Sequence, residues 1–157
     1  MSRQIMSRQI LLTVGNTMMG DDGAGPLLAK RCLEQPIDRW EVLEGGTMPE
    51  DTLHRIRHIK PERVLVVDAA DFGEKAGEIR IIDPDTIAEM FMVSTHSLPL
   101  NFLIDELKTF VPHVTFIGIQ PAIVAFAAPM TDMVKDAVDT IYQSLPKWHD
   151  DMDFGHC

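Results

Sequence analysis

Cysteine is nearly absent: the 157 residues include only Cys32 and Cys157. Two thiols cannot build a disulfide framework or a four-sulfur metal site. Cys32 falls in a stretch of helical pattern and Cys157 is the last residue, so a reducing, cytoplasmic setting is the simplest expectation. Positive charge is also short, with 14 Lys and Arg against 24 Asp and Glu, a formal net charge of -10. Nucleic acid and anionic membrane both require a basic surface, so neither is an expected partner. A basic partner or a cation suits such a chain better. No apolar run approaches the ~20 residues that span a bilayer. The early run "ILLTV" is too short for a signal peptide and reads as a strand.

The usual catalytic signatures are missing too. There is no G-x-S-x-G elbow and no Cys placed after a strand with a His partner. The D-T-G or D-S-G pattern of paired-domain aspartic proteases does not occur. The glycines after the first apolar run do not fit G-x-G-x-x-G, which excludes the dinucleotide fingerprint.

What is present is an alternation of apolar runs with segments of helical period, the pattern of a mostly parallel sheet covered by helices. The length suits one domain with a real core. A single-domain, three-layer α/β sandwich is expected, with about five strands and helices on both faces of a twisted sheet. "MSRQI" fills residues 1 to 5 and again 6 to 10. The second copy runs into strand one, so residues 1–10 are read as a duplicated extension and residues 8–148 as the domain. The tail, 149–157, has little to pack and is expected to fray.

The expected strands are "QILLTVG", "WEVLEG", "RVLVVDAAD", "GEIRIID" and "VTFIGIQ". The third is apolar on both faces, as a central parallel strand should be, and the fourth alternates, which places it at an edge. Pro26 suits the first turn of a helix through "PLLAKRCLEQ". Thr47 with Glu50 reads as a capping box opening a helix to about Ile59, and Thr86 with Glu89 as another opening a short helix. Leu100, Leu103, Ile104 and Leu107 give "PLNFLIDELKTFV" an amphipathic period. Met133, Val134, Ala137, Val138, Ile141, Tyr142 and Leu145 do the same for the closing helix.

Chemistry concentrates where such sheets bind ligands, at the carboxyl ends of the strands. In "VGNTMMGDDGAG", Gly15 and Gly20 have the spacing of a phosphate-binding loop, but Asp21 and Asp22 stand where Lys and Ser or Thr would meet phosphate and magnesium. Paired acids repel phosphate, which disfavours a nucleotide-binding module. Asp68 ends "VLVVD", and His96 in "STHSLP" precedes the next helix. Parallel neighbours would bring Asp22, Asp68 and His96 to one edge. Two carboxylates about 4 Å apart repel by roughly 4 kcal/mol at an effective dielectric near 20. A shared proton or a cation relieves that, and an imidazole completes a ligand set suited to a divalent transition metal. The plainer readings stay open. Asp21 or Asp22 alone would serve as a helix N-cap, Asp68 would bond loop amides, and Asp71 would serve in the turn.

Other residues are weaker candidates. His54 and His58 in "HRIRH" have the i, i+4 spacing of metal ligands but lack the Glu of H-E-x-x-H. Arg55 and Arg57 between them read as a solvated basic face. His156 and Cys157 lie in a loose tail. Met18, Met19, Met90 and Met92 read as packing or adaptable contact surface, with a contact role more credible for the first two, beside the acidic turn.

Four stretches, "GNTMMGDDGAGPLLA", "VVDAAD", "GEIRIIDPDTIAEMFMVSTHSLPLNFLIDELK" and "GIQPAIVAF", together resemble the hydrogenase maturation endopeptidases over roughly residues 8 to 148. The likeness is strongest to the branch that processes the large subunit of hydrogenase 3, in the formate hydrogenlyase system. It implies an aspartic-type peptidase, and a single domain of this size most simply works as a monomer. Such an enzyme removes a short C-terminal peptide from the nickel-loaded precursor of a [NiFe]-hydrogenase large subunit. It implies Asp22, Asp68 and His96 as the residues that meet the metal, with Asp22 and Asp68 as catalytic candidates. It implies that the nickel is carried by the precursor rather than held permanently by the enzyme. The chain departs from the pattern at Ala122, where close relatives are expected to carry a polar residue. The alternative is a nickel-binding checkpoint or chaperone protein that uses the same trio without cutting.

Overall fold

The strand Arg63–Ala69 has six consecutive buried residues from Val64 onward, and it forms the middle of the sheet. The structure is a computed structural model that describes residues 8–83, 97–149 and 154. Five strands pair among these residues: β1 (Gln9–Val14), β2 (Trp40–Gly46), β3 (Arg63–Ala69), β4 (Ile79–Ile81) and β5 (His113–Ile119). Their order is β2-β1-β3-β5-β4. All neighbours are parallel except β4, which lies antiparallel to β5 at the edge. The expected central and edge strands are therefore where their patterns put them.

Four helices are described: α1 (Ala24–Glu34), α2 (Leu53–Ile59), α3 (Ser97–Lys108) and α4 (Asp132–Ser144). They divide between the two faces of the sheet. Val64 and Val66 of β3 point to a core filled by Ile56 of α2 and by Leu100, Leu103, Ile104 and Leu107 of α3. Leu65 and Val67 point the other way, to Leu28 of α1 and to Val134, Val138 and Ile141 of α4. A strand's two-residue period sorts its side chains between two cores in this way. The four α3 residues are essentially inaccessible to solvent, and burying each contributes about 1.5–3 kcal/mol. No described helix is long and apolar enough to cross a membrane.

Two local expectations need correction. The Thr47–Glu50 capping box does not form. Met48 donates its N–H to the Gly45 carbonyl, so the chain is still turning there, and the helix opens through a 3-10 turn at Pro49–Thr52. The Thr52 hydroxyl then donates to the Pro49 carbonyl at 2.6 Å. Met133 fits the helical period but is half exposed, in the first turn of α4. The first helix starts at Ala24, so Pro26 lies within its first turn, as expected. The Thr86–Glu89 segment, Met90, Met92, His156, Cys157 and the first seven residues lie outside the described residues. In the tail, Phe154 stacks on Trp148 with ring centroids 5.9 Å apart.

Candidate active site

β1 ends at Val14, and Gly15 reverses the chain with φ +144°, a conformation open mainly to glycine. A Cβ at Gly15 would overlap the carbonyl oxygen of Asp22, so the turn closes tightly on itself. Residues Gly20–Gly23 form a 3-10 turn that passes directly into α1. Neither aspartate caps a helix: Met19 and Gly23 hold the cap positions, and no side chain bonds the exposed amides. Asp22, 7% exposed, accepts the Asn16 N–H at 3.0 Å through Oδ2. The Asn16 side chain in turn accepts the Met18 N–H at 2.9 Å.

Asp68 is fully buried near the end of β3, opposite Gly118 of β5. β1 and β3 are adjacent and in register, with Thr13 beside Val67, so Asp68 comes one step later, level with the exit of β1. The Gly20–Gly23 turn packs against β3. Asp22 and Asp68 thus stand on neighbouring elements at the carboxyl edge. Asp68 also has the parity of Val64 and Val66, which point to the face covered by α3. That helix returns through residues 109–112 to the amino end of β5, so its first turn opens toward the carboxyl edge. His96 precedes its first residue in sequence but lies outside the described residues. Among the described residues no three His, Cys, Asp or Glu side chains gather in a metal-sized group.

Two residues matter more than their sequence context indicates. Asp21 is fully buried, and its carboxylate binds a loop more than a hundred residues away. Oδ2 accepts the N–H groups of Ala122 (2.8 Å) and Ile123 (3.0 Å), and Oδ1 accepts that of Thr131 (2.7 Å). The Thr131 hydroxyl donates to the same carboxylate at 2.9 Å, although Thr131 sits at the N-cap of α4. Burial by itself would raise the Asp21 pKa. The bonds from Ile123, Thr131 and Ala122 outweigh it and hold the carboxyl below its usual range. Ala122 takes part through its backbone, so no polar side chain is needed at that position for this contact.

Gln120, at the exit of β5, holds the loop that follows Asp68. Its Oε1 accepts the N–H groups of Phe72 (2.8 Å) and Glu74 (3.1 Å), while Nε2 donates to Asp71 at 3.0 Å. Asp71 also accepts the Gly73 N–H, the turn role expected of it. Asp21 and Gln120 therefore brace the loops on either side of the two candidate carboxylates. Their partners are remote in sequence, and no local pattern announces them.

His54 and His58 are exposed on α2. Between them Arg55 pairs with Glu41 (3.2 Å) and Arg57 with Glu106 (2.9 Å), the solvated basic face their spacing indicates. Cys32 is buried in α1, and burial pushes its thiol up to about 11, against a smaller opposing effect of Arg31. It is a packing residue, far from thiolate chemistry at neutral pH.

A family model for the hydrogenase maturation protease HycI matches residues 26–148, a span that contains Asp68 and begins just after Asp22. The chain is 58% identical over 139 residues to the hydrogenase 3 maturation protease of Escherichia coli K12, covering 88% of this chain and 89% of that one. The solution structure of the endopeptidase HycI from Escherichia coli superposes with a TM-score of 0.84 at 57% identity, over 90% of each chain. A crystal structure of a hydrogenase 3 maturation protease gives 0.88 at 55% identity, over 96% of each. Sequence and fold agree across nearly the whole length: the chain belongs to the hydrogenase maturation protease family and is an endopeptidase.

Proposed function

We propose that this peptidase removes a short C-terminal peptide from the nickel-loaded precursor of a [NiFe]-hydrogenase large subunit of the hydrogenase 3 type. The inserted nickel serves as its recognition element. The observation that carries the reading is two buried carboxylates at one edge, Asp68 near the end of β3 and Asp22 in the Gly20–Gly23 turn that packs against β3. Buried acids grouped at a strand edge are costly, and a divalent ion brought by the substrate offsets that cost. Asp22, Asp68 and His96 supply two oxygen donors and one nitrogen, a set that suits nickel. An empty precursor brings no such ion and gains nothing there.

In the chemical step, of aspartic type, Asp22 or Asp68 accepts a proton from water. The water oxygen adds to the scissile carbonyl, the C–N bond breaks, and the proton passes to the leaving amine. Nickel on the substrate positions the scissile segment. The protein acts as a monomer on a much larger substrate, in the cytoplasm.

The test is to incubate the protein with nickel-loaded and nickel-free precursor and to weigh the large subunit by mass spectrometry. Loss of the C-terminal peptide only from the loaded sample is expected. Cleavage of both samples would remove nickel as the recognition element, and an unchanged mass in both would remove the assignment of this substrate. Separate binding and cleavage assays on Asp22→Ala, Asp68→Ala and His96→Ala then divide recognition from chemistry. A variant that binds loaded precursor but cannot cut it identifies the base.

A further inference from the structure

Residues 114 to 131 carry no charged side chain, in a protein with 24 acidic residues and a net charge of -10. The first part of this stretch is core strand, but residues 122–127 are exposed after β5. Ile123 is 45% exposed, Val124 49% and Phe126 70%. Met18, 54% exposed, joins them, because its carbonyl accepts the Ala127 N–H at 2.8 Å. The result is an apolar rim beside the acidic turn.

The rim is also held in place. The buried Asp21 carboxylate binds both Ala122 and Ile123, and the Asp21 N–H donates back to the Ile123 carbonyl at 2.8 Å. Gly20 has no room for a side chain, since a Cβ there would sit 2.6 Å from the same carbonyl. Exposed apolar side chains on a loop fixed by a buried ion are surface kept ready for contact.

We propose that this rim is the docking surface for the substrate polypeptide, and that it takes the apolar side chains of the extension beyond the scissile bond. This rests on the function proposed above, in which Asp22 and Asp68 face the metal-bearing side of the cut. An endopeptidase substrate runs on in both directions from that point. An extended chain advances about 3.4 Å per residue, so its next few residues reach the wall of the turn. That wall is the rim, whose Ala122 and Ile123 amides are held by Asp21, the residue before Asp22. With no charged group to pair, it favours uncharged, apolar side chains over acidic or basic ones.

Cleavage of nickel-loaded precursor by wild type, Phe126→Ser and Val124→Ser tests this, alongside titration of each protein with a synthetic peptide of the extension alone. Both substitutions are on exposed side chains, and circular dichroism checks that the fold is kept. The expected result is a KM raised roughly tenfold with kcat changed less than about threefold, and a matching loss of peptide affinity. An unchanged KM would overturn the docking role. So would a fall in kcat alone, which would make the rim part of the chemistry. Sedimentation showing a wild-type dimer that Phe126→Ser dissociates would also overturn it, by assigning the rim to a second copy. Failure of the wild type to cut any precursor would instead remove the underlying function, a result distinct from a difference between variants.

Discussion

Asp21 and Asp22 are adjacent and chemically identical, yet the fold puts them to different uses. Asp22 bonds an amide six residues away inside its own turn, while Asp21 bonds amides 101, 102 and 110 residues away. The sequence shows two acids at a glycine turn and offers helix capping to either. Only tertiary structure separates them, because the donors that select Asp21 arrive from the far end of the chain. Replacing Asp21 by Asn keeps the shape but turns one acceptor oxygen into a donor that faces other donors, at a cost of roughly 2–4 kcal/mol. The pH dependence has a definite sign. A carboxyl whose folded pKa lies below its ordinary value of 3.8 contributes stability that is complete above that value. The contribution is lost as pH falls through the folded pKa. In urea denaturation the gap between wild type and Asp21→Asn should be constant above about pH 5 and shrink below about pH 3.8. A gap that widens on acidification would show that Asp21 is not the stabilised anion.

Between α1 and β1 the decisive residue is one without a side chain. Gly25 lies in the first turn of α1, where a Cβ would overlap the Val14 carbonyl oxygen and sit 2.9 Å from the Val14 nitrogen. In an exposed helix interior, Gly→Ala gains up to about 1 kcal/mol of helix propensity. Here the obstacle is strand backbone, which cannot swing aside, and overpacking of about 1–3 kcal/mol wins. Gly25→Ala should therefore lower the melting temperature by several degrees, roughly 2–4 °C for each kcal/mol in a chain of this size. Because α1 follows directly on the Asp22 turn, cleavage should weaken as well. A rise in melting temperature would show that the helix has room to move. The same distinction explains what the sequence revealed about elements. Periodicity found β3 at the centre, β4 at the edge and the buried face of α3, because solvent exposure sets those patterns directly. It missed the opening of α2, where a T-x-x-E pattern fell on a turn already closed by the Gly45 carbonyl. Of the expected metal-facing trio, His96 lies outside the described residues. Asp68 could be placed at the carboxyl edge because it closes a parallel strand, and Asp22 from the turn leaving the strand beside it. The Asp21 and Gln120 braces could not, because their contacts depend on loop paths that no spacing encodes.

At the scale of the molecule, one sheet separates two cores, and both depend on the same strand. β3 gives Val64 and Val66 to the face under α2 and α3, and Leu65 and Val67 to the face under α1 and α4. Neither face can lose its helices without exposing apolar residues of a strand that the other still needs, so the two should unfold together. The tryptophans make this measurable. Trp40 and Trp148 both belong to the core under α1 and α4, and the Trp40 indole N–H donates to the Leu145 carbonyl at 2.9 Å. Their fluorescence reports one face, whereas far-UV circular dichroism reports every helix. Leu103→Ala empties space in the opposite core, where the side chain is fully buried, and should cost about 2.7–5 kcal/mol. If the sheet couples the faces, the variant's fluorescence transition moves to lower denaturant by the same amount as its dichroism transition, in a single step. A fluorescence midpoint left at the wild-type value while dichroism shows two steps would mean that the faces unfold separately. The carboxyl-edge aspartates would then rest on one half of a divided structure, and bracing by Asp21 could not fix their geometry across it.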